Sequence, residues 1–188
     1  MWAVLGWSPV AAMFLGSLAV TREFYYSTME HTVVLSKASE VLRAKLIAAA
    51  IGGALIGLVT SSLGVLVWGA VAPGFLAHWT VGYQLAETAG TVVACALGGV
   101  IGVCVGWVVE NYYLATAIVL AGPLGLEIWL AGQGWPGVDY LPATALSHVA
   151  HPVGATIITW LSAVGVTLLW TVALLALALI TERIRSRR

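Results

Sequence analysis

Residues 46–71 read LIAAAIGGALIGLVTSSLGVLVWGAV, 26 consecutive positions without a charged side chain. A helix rising 1.5 Å per residue crosses the roughly 30 Å hydrocarbon core of a bilayer in about 20 residues. The stretch is long enough to span. Working outward, four more apolar runs of similar length lie near 2–21, 88–109, 113–131 and 156–180. The whole chain of 188 residues is 61% hydrophobic and 9% charged, with a mean hydropathy of +0.99. Soluble domains carry about 25% charged residues, and one small globule cannot bury so much apolar surface. Composition therefore excludes a soluble enzyme, a nucleic-acid binder and a disordered tail. The expectation is an all-α, polytopic helical membrane protein of about five transmembrane helices, forming a single membrane domain over residues 1–188.

Charge orients the spans. Arg22, Lys37, Arg43 and Lys45 lie between the first two runs, and Arg183, Arg185, Arg187 and Arg188 close the chain. The loops near 72–87 and 132–155 hold no Lys or Arg. By the positive-inside rule, segment 22–45 and the C-terminal tail are cytoplasmic. Five spans satisfy both conditions, with the N-terminus outside in a cell (cytoplasmic) membrane. The first run follows no basic n-region and ends in Thr21-Arg22-Glu23, so it reads as a span and not as a signal peptide. Pro9 is expected to kink it. Trp68, Trp79, Tyr112, Tyr113, Trp129, Trp135 and Tyr140 fall near span ends, where amphipathic rings prefer the headgroup region.

Within the spans, Gly98, Gly102 and Gly106 recur every fourth residue, as do Gly53 and Gly57. Such stripes let helix backbones approach closely in lipid, either within one bundle or across a dimer seam. Glu127 is the acid set well inside a predicted span and is costly there. It suits either a hydrogen bond to a neighbouring helix or a place in a substrate or proton pathway, with Pro123 one turn earlier kinking the helix. His148 and His151 share an i, i+3 spacing, a weak metal signal with no third ligand beside it. No metal or other cofactor is expected. Cys95 and Cys104 lie in one apolar stretch, so no disulfide framework is indicated. The 132–155 loop, with Trp135, Leu141, Leu146, Val149 and Val153, is apolar enough to form a short outer interfacial helix.

Segment 22–45 is too polar to span. Positions 34, 35, 38, 41 and 42 share one helical face, which predicts an amphipathic helix along the cytoplasmic surface. The order of motifs around it, Arg22-Glu23-Phe24-Tyr25-Tyr26-Ser27-Thr28-Met29 and then Leu42-Arg43-Ala44-Lys45-Leu46, resembles the permease subunits of type-2 ABC exporters. A second block agrees: Gly102-Val103-Cys104-Val105-Gly106-Trp107, the Glu110-Asn111 turn, Glu127, and Val138-Asp139-Tyr140-Leu141-Pro142. The resemblance covers most of residues 20–180. The family usually has six spans and five are expected here, the difference falling at its first, which an upstream start, a partner or a shortened branch would each account for.

The resemblance implies a transport subunit and not an enzyme, since ATP hydrolysis belongs to separate ABC-type ATP-binding subunits, two copies per assembly. A second permease protomer, identical or related, would face the first, and an amphipathic or hydrophobic substrate would move outward between them. Glu23, Thr28, Glu30, Val34 and Lys37 are the residues it assigns to coupling with the ATPase partner. The chain has no phosphate-binding Gly-x-x-x-x-Gly-Lys-Ser/Thr loop of its own. Two other readings stand beside this one: a non-transporting assembly or scaffold subunit of the same fold, and a small proton-coupled transporter using Glu127.

Overall fold

The structure, a computed structural model, describes residues 7–26, 38–71, 80–152 and 157–185. Every regular element in them is helical. In chain order they are α1 (Ser8–Tyr25), α2 (Ala38–Val71), α3 (Val81–Val109), α4 (Tyr112–Ala121), α5 (Ile128–Gly132), α6 (Pro142–Ala150) and α7 (Ile157–Arg185). A π-helical turn, Gly122–Glu127, joins α4 to α5, so Tyr112–Gly132 is one rod. Among the described residues, four helices are long and apolar enough to cross a membrane: Ala38–Val71, Val81–Val109, Tyr112–Gly132 and Thr159–Ile184. The chain is a multi-pass helical membrane protein. Helix α1, expected as a span over 2–21, is not one of the four: it carries charged Arg22 and Glu23 near its end at Tyr25, and residues 1–6 lie outside the described residues.

Helix α3 is the axis of the bundle. In its apolar stretch 61% of the residues are buried, against 17% in α2 and in α7. Glycine makes this possible. A Cβ on Gly98 would lie 2.6 Å from the Pro9 carbonyl oxygen, one on Gly106 would lie 2.9 Å from that of Ser17, and one on Gly102 would collide with that of Met13. Helices α1 and α3 thus run side by side in the same direction, backbone on backbone. On the other flank, Gly53 abuts the Cys95 carbonyl and Gly57 that of Thr91, so α2 passes antiparallel to α3. The glycine stripes therefore form a packing seam inside one chain. Two apolar clusters fill the remaining space, one around Ile101, Val119, Leu146 and Val149, the other around Val20, Leu42, Val103 and Trp107.

Several boundaries differ from the sequence expectation. Pro9 lies in the first turn of α1, where a missing N–H costs nothing. Helix α2 begins at Ala38, eight residues before its apolar run. Val41 and Leu42, expected on a surface-lying amphipathic helix, are instead buried in the bundle against Val20 and Trp107. Helix α3 begins at Val81 and not near 88, with the Thr80 hydroxyl accepting the Tyr83 N–H as its cap. It ends at Glu110 in a left-handed conformation (φ 57°), and the Asn111 side chain caps α4 by accepting the Leu114 N–H. At Pro123 the helix widens into the π turn where a kink was expected. The extra residue in such a turn rotates the succeeding side chains by about 100°. Pro123 and Glu127 face inward while Leu124, Leu126 and Ile128 are exposed.

Candidate functional site

The charged side chains of the described residues gather at the two ends of the bundle. One end carries the basic residues Arg22, Arg43, Lys45 and Arg183. There Lys45 Nζ on α2 donates to Glu23 Oε1 at 2.6 Å and to the Ala19 carbonyl at 2.7 Å on α1. The lysine side chain is 14% exposed, so its charge is held between the helices and does not reach freely into solvent. Beside it, Phe24 packs edge-on against Trp107. Tyr25, Tyr26, Tyr112 and Tyr113 form a ring cluster with centroid separations between 5.1 and 6.1 Å, and the Arg22 guanidinium lies over the Tyr26 ring. Amphipathic rings at this level suit a membrane–water boundary.

The opposite end is organised around α6, the short helix in the 132–155 loop. Its inner face, Ala145, Leu146, Val149 and Ala150, is fully buried. Two acids hold it. Glu127 Oε1 accepts the Ala143 N–H at 3.2 Å, and Oε2 accepts the Thr144 N–H at 2.8 Å and the Thr144 hydroxyl at 2.9 Å. A spanning helix thus supplies the N-terminal cap of another element, where unpaired amides and the helix dipole both favour a carboxylate. Just past the other end of α6, His151 Nδ1 lies 2.9 Å from Glu87 Oε2 of α3. Thr91 Oγ1 is shared between the carbonyls of Glu87 (2.8 Å) and Ala150 (3.3 Å). Trp160 and Trp170 of α7 donate to the Val149 and Tyr140 carbonyls.

Of the residues singled out from the sequence, Glu23 is ion-paired within the chain. Thr28, Glu30, Val34 and Lys37 lie outside the described residues. Glu127 is buried as a helix cap, and Gly53, Gly57, Gly98, Gly102 and Gly106 line the packing seam. His148 and His151 do not converge: His148 pairs with Asp139 and His151 with Glu87. Among the described residues no three His, Cys, Asp or Glu side chains come together as metal ligands. Glu87 is the residue that sequence reasoning missed. Apolar-run boundaries leave it in a loop ending at 87, yet it is 5% exposed within a spanning helix. Thr80, a capping residue ahead of Val81, is the available signal. No family model, curated protein or solved structure matches the chain.

Proposed function

We propose that the chain is the permease subunit of an ATP-driven exporter of the type-2 ABC class. In this reading it sits in the cytoplasmic membrane with segment 22–45 and the C-terminal tail inside. It works as a dimer on two separate ATP-binding subunits and moves an amphipathic or hydrophobic substrate outward. One observation supports this mechanics best. Helix α2 is continuous over 34 residues, about 51 Å at 1.5 Å per residue, so it outreaches the roughly 30 Å hydrocarbon core. At its charged end it is clamped to α1 through Lys45 and Glu23. A push on the chain ahead of Ala38 would therefore move two packed helices as one lever, which is what coupling to an ATPase requires. The proton-transfer alternative has less support, because both Glu127 oxygens are engaged as a helix cap.

Affinity purification of the chain from its native membrane in mild detergent tests this reading. An ATP-binding subunit recovered at about one copy per copy of this chain supports it, and reproducible recovery without any ATPase overturns it.

A further inference from the structure

Between Lys45 and Arg183 the chain holds no lysine or arginine. Glu87 is buried within that interval, and a buried carboxylate needs a counter-charge. The side chains of the interval able to carry positive charge are His78, His148 and His151. His78 lies outside the described residues. His148 faces Asp139 at 3.2 Å in an exposed, solvent-screened pair. His151 Nδ1 stands 2.9 Å from Glu87 Oε2, and the two side chains are only 12% and 7% exposed. A lysine or arginine here would neutralise Glu87 at any physiological pH. An imidazole does so only while it holds its extra proton.

The pair sits where the exit of α6 is pressed onto α3. A Cβ on Gly90 would lie 2.7 Å from Pro152 Cδ and from the Val149 carbonyl oxygen. Thr91 donates to the Ala150 carbonyl at 3.3 Å, and Trp160 of α7 to that of Val149 at 3.3 Å. Seating α6 therefore buries Glu87 and His151 together. The last carbonyls of α6 add negative partial charge at the same place, which favours a cation. Other titratable groups around the pair are few. On α3, Tyr83 precedes Glu87 by one turn, and Cys95, two turns beyond, donates to Ser8. On α6 and the turn before it stand His148 and Asp139, and Glu127 of the neighbouring rod caps the far end of α6. Residues 7–21 of α1, 46–71 of α2 and 157–181 of α7 include no titratable side chain.

Proton occupancy sets the charge of the pair. Carboxylate and imidazolium together are neutral. When the proton leaves to solvent, a net charge of minus one stays buried beside the carbonyl end of α6. With α6 lifted, both groups are hydrated and the same loss costs little. The state that holds the proton more tightly gains as pH falls, so acid favours seated α6 and rising pH favours its release. We infer that Glu87 and His151 form a proton-binding site that fastens the exit of α6 to α3 when loaded and frees it when empty. The site is independent of the export reading and needs no ATP-binding partner.

The test is hydrogen–deuterium exchange of the full chain in phosphatidylcholine nanodiscs from pH ~5 to ~8, the range in which imidazoles titrate. Rates are corrected for the intrinsic pH dependence of amide exchange. Protection of the α6 amides between Leu146 and His151 is expected to fall about tenfold per pH unit in the upper part of this range, as release of one proton requires. Peptides around Ile101 on α3 should stay protected throughout, which separates release of α6 from unfolding. The two single variants should move in opposite directions. Glu87→Gln removes the charge that deprotonation would strand, so α6 should remain protected at pH ~8. His151→Gln leaves Glu87 without its imidazolium, so α6 should be released across the whole range. The double variant, uncharged at both positions, should restore protection without pH dependence, and it keeps the test decisive if His151→Gln does not fold. His148→Gln, in the exposed pair, should leave the wild-type profile intact. Flat wild-type protection, or equal loosening by Glu87→Gln and His151→Gln as for a hydrogen bond of purely structural role, overturns the site.

Discussion

Glu127 Oε2 accepts both the backbone N–H and the hydroxyl of Thr144, at 2.8 and 2.9 Å. One carboxylate thereby fixes the start of α6 to the rod that precedes it and satisfies two amides that the first turn of α6 leaves unpaired. The acid thus has a structural reason to be buried.

Glu127→Ala leaves the Ala143 and Thr144 amides without their acceptor and is expected to cost about 3 kcal/mol. Glu127→Gln keeps one oxygen and should cost about 1 kcal/mol. Thermal unfolding in detergent measures both. Loss of export by a Glu127→Gln protein with near-normal stability would instead place the acid in the transport path.

Four of the five expected spans were legible because lipid imposes a length and a composition that a single sequence displays. The start of α2 was not. Glu40, Arg43 and Lys45 interrupt hydropathy, but none of them interrupts a helix. The acceptor role of Glu127 was equally hidden, since its partners Ala143 and Thr144 offer backbone amides, which carry no signature beyond Pro142 at the first helical position. Glu87 was lost for a related reason: an apolar-run criterion stops at the first acid, whereas the helix is stopped only by its cap at Thr80.

Lys45 and Glu23 should behave as a coupled pair. Removing either one, as Lys45→Met or Glu23→Gln, is expected to loosen the basic end of α1 from α2. The double-mutant cycle should give a coupling of about 1 kcal/mol, discounted for the partial exposure of the glutamate. Additive effects on unfolding would show that the two side chains do not act together.

Gly102→Ala puts a methyl group against the Met13 carbonyl and must push α1 away from α3. A loss of about 1–3 kcal/mol is expected from overpacking. Gly165 on α7 meets nothing within 4 Å of an added Cβ. Gly165→Ala should therefore be neutral, or gain up to about 1 kcal/mol from helix propensity. Unfolding midpoints of the two proteins distinguish the seam from the open face, and equal effects would contradict it.

Coupling through α2 can be tested at two points along the same lever. Glu30→Lys with Val34→Asp changes the segment that the export reading assigns to the ATPase, and should abolish stimulation of ATP hydrolysis while membrane insertion persists. Ala44→Pro acts further along. Ala44 is exposed, so its side chain is not needed for packing. Proline there removes the hydrogen bond to the Glu40 carbonyl and bends the helix just below the Lys45 clamp, at a cost of about 3 kcal/mol. A rigid lever predicts that Ala44→Pro retains partner binding but loses stimulation, because the docked segment no longer moves α1 and α2 together. ATPase rates of the reconstituted complex, read beside copurification of the partner, separate these outcomes. Full stimulation in the proline variant would mean that force does not travel through α2.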